Sequence, residues 1–342
     1  MQLIGDDIII SDKALDYLKN FLESRNYSKV LVLSDENTQK HCAGAITFPV
    51  DKHIVVPPGE QFKNLSTCTQ IWDALLEAGA DRSSLLVNLG GGVVGDMGGF
   101  AASCYMRGID FVQVPTSLLA MVDASVGGKV GIDYRDYKNM LGQFAPPEMV
   151  FIQPKLLETL PERELLAGYA EMLKHGLIAN AGYWLELLEF NKRRLKLQIE
   201  ESVRIKHAVV EEDPDEQGKR KILNFGHTIG HALESYALSE GMDVLHGEAV
   251  AAGMFMESIV SSKAGLTRED IDQICAGIRS LYPILPFKED QAEAIWTLML
   301  KDKKNKSGKV RCVMLPTLGE AIFDMDLSFP EFEEAFRNYL NF

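Results

Sequence analysis

Residues 85 to 100 read Leu-Leu-Val-Asn-Leu-Gly-Gly-Gly-Val-Val-Gly-Asp-Met-Gly-Gly-Phe. An apolar run of strand length, Leu85 to Leu89, enters a cluster of glycines, and a helix is expected to begin there. Gly90, Gly92 and Gly95 satisfy the spacing of a dinucleotide-binding turn. Glycines let the backbone approach a pyrophosphate, whose charge is favoured by the N–H groups and dipole of a helix N-terminus. A tight strand-to-helix turn without a ligand would need some of the same glycines, so the surroundings decide. Lys29 to Leu33 and Ile54 to Val56 upstream, and Phe111 to Val114 downstream, read as buried strands. Between them Leu65 to Ala78 has helical periodicity through Leu65, Ile71, Leu75 and Leu76, and ends at Gly79. Strands alternating with helices imply a parallel sheet covered on both faces. Residues 1–160 are therefore expected to form a Rossmann-like α/β nucleotide-binding domain.

After Pro161 the character changes. Helical patterns run over 162–177, 184–210, 228–236, 248–264, 268–281 and 292–301, and only Val310 to Leu315 reads as a strand. Residues 161–342 are thus expected to form a mostly α-helical second domain. No internal repeat is evident.

A length of 342 residues suits two domains, and 46% hydrophobic with 25% charged residues is a globular composition. The net charge of −14 opposes a general affinity for nucleic acid or an anionic membrane. Apolar runs are too short to span a bilayer, and the N-terminus lacks the pattern of a signal peptide. Five scattered cysteines, an odd count without metal or disulfide spacing, point to reduced thiols in a cytoplasm. Basic clusters at Lys129/Lys138, Lys219-Arg220-Lys221 and Lys301 to Lys309 then need a local reason. A small anionic substrate is one; solvated surface is the other.

Two more stretches carry chemistry. Gln113 to Ile132 leaves a strand and enters a glycine-rich segment expected to be an exposed, mobile loop holding Asp123 and Lys129, with Lys138-Asn139 following. Lysine beside paired glycines suits phosphate or carboxylate recognition. In the second domain three of the seven histidines fall within twenty residues: His227 and His231 in Asn-Phe-Gly-His-Thr-Ile-Gly-His-Ala-Leu-Glu (224–234), and His246 in Leu-His-Gly-Glu (245–248). A spacing of four puts His227 and His231 on one helix face. Glu171, Lys174 and His175 share another, and one carboxylate with two imidazoles is the donor set of a catalytic zinc site. Spacing leaves the choice among His175, His227, His231 and His246 open.

Together these segments resemble the sugar phosphate cyclases, and within them the 3-dehydroquinate synthase family. The likeness runs from Pro57-Pro-Gly-Glu-Gln-Phe-Lys63 through Gly-Gly-Gly-Val-Val-Gly-Asp (90–96), Tyr105-Met-Arg-Gly108, Pro115 to Lys129 and Lys138-Asn139. It continues through Ala170-Glu-Met-Leu-Lys174, Asn224 to Glu234 and His246-Gly-Glu248 to Pro316-Thr-Leu-Gly-Glu-Ala321. The resemblance implies an active site between two domains, catalytic NAD, and one divalent metal, zinc or cobalt, per subunit of a homodimer. It implies Glu171, His227 and His246 as metal ligands, His231 as a proton carrier, and no ligand role for His175. It implies NAD contacts from Gly59, Glu60, Lys63, Gly92, Val93, Val94, Gly95, Asp96, Thr116, Ser117, Lys129, Lys138 and Leu156 to Thr159; Asp35 and Asn37 are expected to join them. Asp123, Lys129, Asn139, Lys174, Lys206, Arg220, Asn224 and His231 would surround the substrate, with Lys303 or Lys304 completing its phosphate pocket and Arg107 reaching the neighbouring subunit's phosphate.

The implied substrate is 3-deoxy-D-arabino-heptulosonate 7-phosphate, which carries a carboxylate and a phosphate and so needs lysines and arginine. The implied sequence is transient oxidation by NAD, phosphate elimination, re-reduction, ring opening and aldol closure to 3-dehydroquinate. Ser117, Ala124, Asp133 and Tyr137 depart from the family pattern, and Tyr137 bears on loop geometry more than on chemistry. The competing readings are a cyclase making an epi-valiolone or deoxy-inosose product, a metal-dependent polyol dehydrogenase, and a non-enzymatic metal- and nucleotide-binding regulator.

Overall fold

The computed structural model describes residues 1–135, 137–301 and 309–342. The chain divides into two compact units, Met1–Leu165 and Leu166–Phe342, the division falling within the helix that Pro161 introduces.

The first unit runs β1 (Gln2–Ile4), β2 (Ile8–Ile10), α1 (Ala14–Glu23), β3 (Val30–Asp35), α2 (Glu36–His41), β4 (Lys52–Val56) and α3 (Leu65–Glu77). There follow β5 (Leu85–Gly90), α4 (Gly92–Cys104), β6 (Asp110–Pro115), β7 (Lys129–Tyr134), β8 (Tyr137–Phe144) and β9 (Met149–Ile152). Seven strands form one sheet in the order β1-β2-β9-β6-β5-β3-β4, parallel from β2 to β4 with β1 antiparallel at the edge. The order reverses between β3 and β5, and outside the carboxyl ends of strands at such a point ligands bind in open α/β sheets. Every residue of β5 is buried, which is why it reads as a run and not as an alternation. Each of Leu85, Leu86 and Val87 contributes roughly 1.5–3 kcal/mol by leaving water.

The glycines after β5 serve two ends. A Cβ on Gly98 would stand 2.0 Å from Asn88 Oδ1, and one on Gly99 2.4 Å from Val130 Cγ1, so these two let α4 settle onto the sheet and β7. A Cβ on Gly91 or Gly92 would meet nothing closer than 3.4 Å. Those two leave the start of α4 uncovered.

The segment expected as an exposed loop is more ordered than that. Ala120–Ala124 makes a π-helical turn, Gly127 and Gly128 turn with φ of +107° and +63°, and Lys129 opens β7, which pairs antiparallel with β8. Val130 and Ile132 bury under the core, an alternation that Gly128 and Gly131 interrupt in the sequence.

In the second unit α5 (Glu162–Ala179) is followed by α6 (Ala181–Leu187), α7 (Leu195–Glu212), α8 (His227–Ser239), α9 (His246–Val260), α10 (Arg268–Leu281) and α11 (Ala292–Leu300). A hairpin of β10 (Val310–Thr317) and β11 (Glu320–Leu327) and then α12 (Phe329–Leu340) complete it. The single helix expected over 184–210 is two. Asn180 caps α6 by accepting from Tyr183 N–H at 3.1 Å, and the break beyond it is held by the Phe190 ring edge-on to Tyr169 at 5.0 Å. Helix α9 is buried on nearly every side, consistent with its apolar sequence. It meets α8 backbone to backbone: a Cβ on Gly253 would fall 1.9 Å from Gly226 O, and one on Gly230 3.0 Å from Ala249 O. Among the described residues, no helix is long and apolar enough to cross a membrane.

Candidate active site

Helix α5 contributes Glu171 and Lys174, one turn apart and 0% and 1% exposed. The lysine ammonium donates to Glu171 Oε2. A carboxylate and an ammonium one turn apart on a helix often form a solvated surface pair, and burial this deep excludes that here. The other oxygen, Oε1, is buried and has no hydrogen-bond partner.

Two imidazoles face that oxygen. His227, the first residue of α8, brings Nε2 to 3.4 Å from it, and His246, the first residue of α9, brings Nε2 to 3.5 Å. Each ring is held from its far side. His227 Nδ1 lies 3.1 Å from Phe225 O and His246 Nδ1 3.2 Å from Glu234 Oε2. A carbonyl and a carboxylate only accept, so both Nδ1 atoms carry hydrogen and direct the Nε2 atoms at Glu171. Leu245 N–H donates to Glu248 Oε2 at 2.9 Å, fixing the first turn of α9.

Protonation follows. Burial opposes the charge on Glu171, but the Lys174 ammonium and His227 outweigh it and hold the carboxyl well below the usual range. Burial lowers His227 despite Glu171, leaving a neutral imidazole. Burial would also lower His246, yet the carboxylates of Glu171 and Glu234 facing its two ring nitrogens push it up to about 10. Its second proton is the one a metal must displace. A buried carboxylate oxygen and two imidazole nitrogens converge here, a donor set that fits a cation once the His246 proton is displaced.

His231 joins the cluster one turn along α8, its ring 5.2 Å from that of His227 and 5.7 Å from that of His246. His175 is buried with Nδ1 2.7 Å from Ser202 Oγ of α7.

Upstream of α8 the chain presents more positive and amide groups. Arg220 is 2% and Lys206 6% exposed. Asp213 organises the loop by accepting from the N–H groups of Gln217, Gly218 and Arg220 at 3.0, 2.8 and 2.9 Å. Arg220 also donates to Pro214 O, and Asn224 Nδ2 to Glu216 Oε1 at 2.9 Å. Arg220, Asn224 and His227 thus issue from one short segment.

The first unit gathers its candidates at the carboxyl ends of adjacent strands β3, β5 and β6. Asp35 closes β3 and accepts from Thr38 N–H at 2.7 Å, with Asn37 exposed on α2. Gly92 and Val93 open α4, which has no side-chain cap, so its first N–H groups are presented outward. Val94 packs into the core and offers only its backbone, while Gly95 O accepts from Gln113 Nε2 at 3.1 Å. Thr116 N–H donates to Gly90 O at 2.9 Å and Ser117 Oγ accepts from Ala120 N–H at 3.2 Å. Lys63 is 4% exposed, 2.6 Å from both Asp96 Oδ2 and Asn139 Oδ1. Asp133 accepts from Asn139 N–H at 2.7 Å, and Lys138 lies 3.6 Å from Glu60, which follows Gly59 at φ +109°. Asp123 is half-buried, Lys129 exposed, Leu156 buried and Thr159 exposed. Arg107 is exposed at φ +72°. Lys303 and Lys304 lie outside the described residues.

Sequence reasoning assigned nothing to Glu234, Glu257 or Asp213. Glu234 stands three residues beyond His231, and Glu257 is the one charge between Ala249 and Val260.

The chain is 42% identical over 323 residues to the 3-dehydroquinate synthase of Parabacteroides distasonis, covering 92% of each. It is 40% identical over 345 residues to that of a Picosynechococcus species, covering 94% and 93%. In fold it is similar to the 2-epi-5-epi-valiolone synthase of Streptomyces hygroscopicus subsp. jinggangensis, with a TM-score of 0.83 at 24% identity over 100% and 98% of the chains. A 2-deoxy-scyllo-inosose synthase gives 0.82 at 24% over 97% and 96%. The models of the 3-dehydroquinate synthase N-terminal and C-terminal regions match residues 53–167 and 168–305, and the chain belongs to the 3-dehydroquinate synthase family.

Proposed function

We propose that this protein converts 3-deoxy-D-arabino-heptulosonate 7-phosphate to 3-dehydroquinate and phosphate, as a cytoplasmic homodimer using NAD and one zinc or cobalt ion per subunit. The observation that carries the reading is the convergence of Glu171 Oε1 with the Nε2 atoms of His227 and His246. The solved valiolone synthase has NAD+ and Zn2+ bound, and the inosose synthase NAD+, Co2+ and carbaglucose-6-phosphate. One carboxylate and two imidazoles suit either ion. When bound, the metal acidifies a substrate hydroxyl and NAD accepts and returns a hydride.

The chain's own residues do the rest. Lys174 neutralises Glu171 and turns a charge toward the substrate, and His231 beside the ligands holds and moves a proton. Arg220 offers a planar fork to carboxylate or phosphate, Lys206 a point charge, and Asn224 an amide to hydroxyls. Asp123, Lys129 and Asn139 complete the substrate's surroundings, with Lys303 or Lys304 at its phosphate and Arg107 serving the partner subunit's substrate. The start of α4, flanked by Asp35 on one strand end and Thr116-Ser117 on another, would hold the pyrophosphate of NAD on its N–H groups.

Phosphate release from the heptulosonate phosphate tests the reading. It should stop on chelation, return with Zn2+ or Co2+, and leave no NADH behind. Turnover of sedoheptulose 7-phosphate alone would sink the substrate assignment, and steady NADH formation with glycerol would favour a dehydrogenase. A second test concerns Glu234. Removing the carboxylate behind a ligating histidine costs about 10–100-fold in metal affinity. Glu234→Ala should show such a loss in competition with a chromophoric chelator, and Glu234→Gln, which still accepts, a smaller one.

A further inference from the structure

Glu257 lies on α9 against the first turn of α8, in an otherwise apolar helix, and is 0% exposed. Burying a carboxylate there is costly, and an apolar side chain of its size would fill the space without that cost. What an apolar side chain could not do is accept hydrogen bonds. Glu257 Oε2 accepts from Gly226 N–H at 2.7 Å and Oε1 from Ile229 N–H at 3.2 Å.

Those two N–H groups belong to the start of the helix that carries His227. A helix begins with N–H groups that have no partner inside it, and a serine, threonine or aspartate at the first position usually supplies one. Here that position is Gly226, in the left-handed region at φ +79° and with no side chain to offer. It has to be glycine: a Cβ would strike Met254 Cγ at 2.5 Å and Val250 O at 2.8 Å. The cap is therefore delivered from α9, eleven residues after His246, by a carboxylate that also complements the positive end of α8.

We propose that Glu257 is a positioning residue for the metal centre: by capping α8 from α9 it fixes the direction in which His227 presents Nε2 to Glu171 Oε1. The proposal rests on the reading of Glu171, His227 and His246 as metal ligands. One carboxylate ties together the helices that supply two of the three donors, so their relative rotation is set before any ion arrives.

The test uses the full-length protein, metal-free, titrated with Co2+ and followed by visible absorption. Glu257→Gln keeps the volume but turns an amide N–H2 toward a backbone N–H, breaking one of the two bonds. It should weaken Co2+ binding about tenfold or more and alter the Co2+ absorption band, as disturbed outer partners of a ligand do. A purely structural role would lower the melting temperature and leave the dissociation constant and band of the folded protein unchanged, and that result overturns the proposal. Glu171→Gln separates the two layers: if it binds Co2+ as the native chain does, the ligand reading itself fails and the positioning role falls with it. Hydrogen exchange on the native chain needs no variant. By reciprocity, Co2+ should slow exchange of the Gly226 and Ile229 amides; unchanged rates would again overturn the proposal.

Discussion

Alanine at position 227 should release phosphate about a thousandfold more slowly than the native chain, a barrier increase of roughly 4 kcal/mol. The variant loses one of three converging donors and leaves Glu171 Oε1 facing a gap in a buried site. Metal content and single-turnover phosphate release, measured on the same sample, check both halves of the expectation. Undiminished release in His227→Ala would refute the metal assignment. His231→Ala should behave differently, keeping one metal per chain while losing rate, because the role proposed for His231 is to carry a proton. Equal loss of metal from both variants would make the Asn224–Glu234 stretch a two-ligand motif after all.

The second large effect is expected from a methyl group. Gly247 follows His246 at the start of α9, and a Cβ there would lie 1.9 Å from Ala167 O and 2.5 Å from its carbonyl carbon, in α5. Backbone cannot yield as a flexible side chain does, so Gly247→Ala must move one helix start away from the other. Overpacking of this kind costs typically about 1–3 kcal/mol. The displacement also separates His246 from Glu171, now 3.5 Å apart. We expect a lower melting temperature together with loss of stoichiometric metal, while NAD affinity, which the proposed function places on the first unit, stays close to native. A variant that retains full metal affinity would show that α9 reaches its position independently of α5.

What the sequence made legible was local. The strand, glycines and helix at 85–100 are contiguous, so their chemistry can be read without knowing what lies opposite. Which of those glycines serve packing could not be read, since Gly98 and Gly99 answer to Asn88 and to Val130 across the sheet and in β7. Strand β8 is not legible in the sequence because it is exposed or half-exposed along its whole length and carries no alternation. In the second unit the ligand candidates came from spacing and family likeness, whereas Glu234 and Glu257 did not. Their partners lie 12, 28 and 31 residues away, and no period links a carboxylate to an N–H on another helix. A lone acid in an apolar helix is a usable signal for such a residue.

Glu171, His227 and His246 arrive from three separate helices of one unit, at positions far apart along the chain. An ion held by all three would recognise the folded chain and not the unfolded one. Such selectivity adds about 2.7 kcal/mol of stability when free metal stands a hundredfold above its dissociation constant. Metal scarcity would then act on the lifetime of the protein as well as on its turnover: a starved cell would hold fewer molecules, because those lacking the ion open more often to proteases.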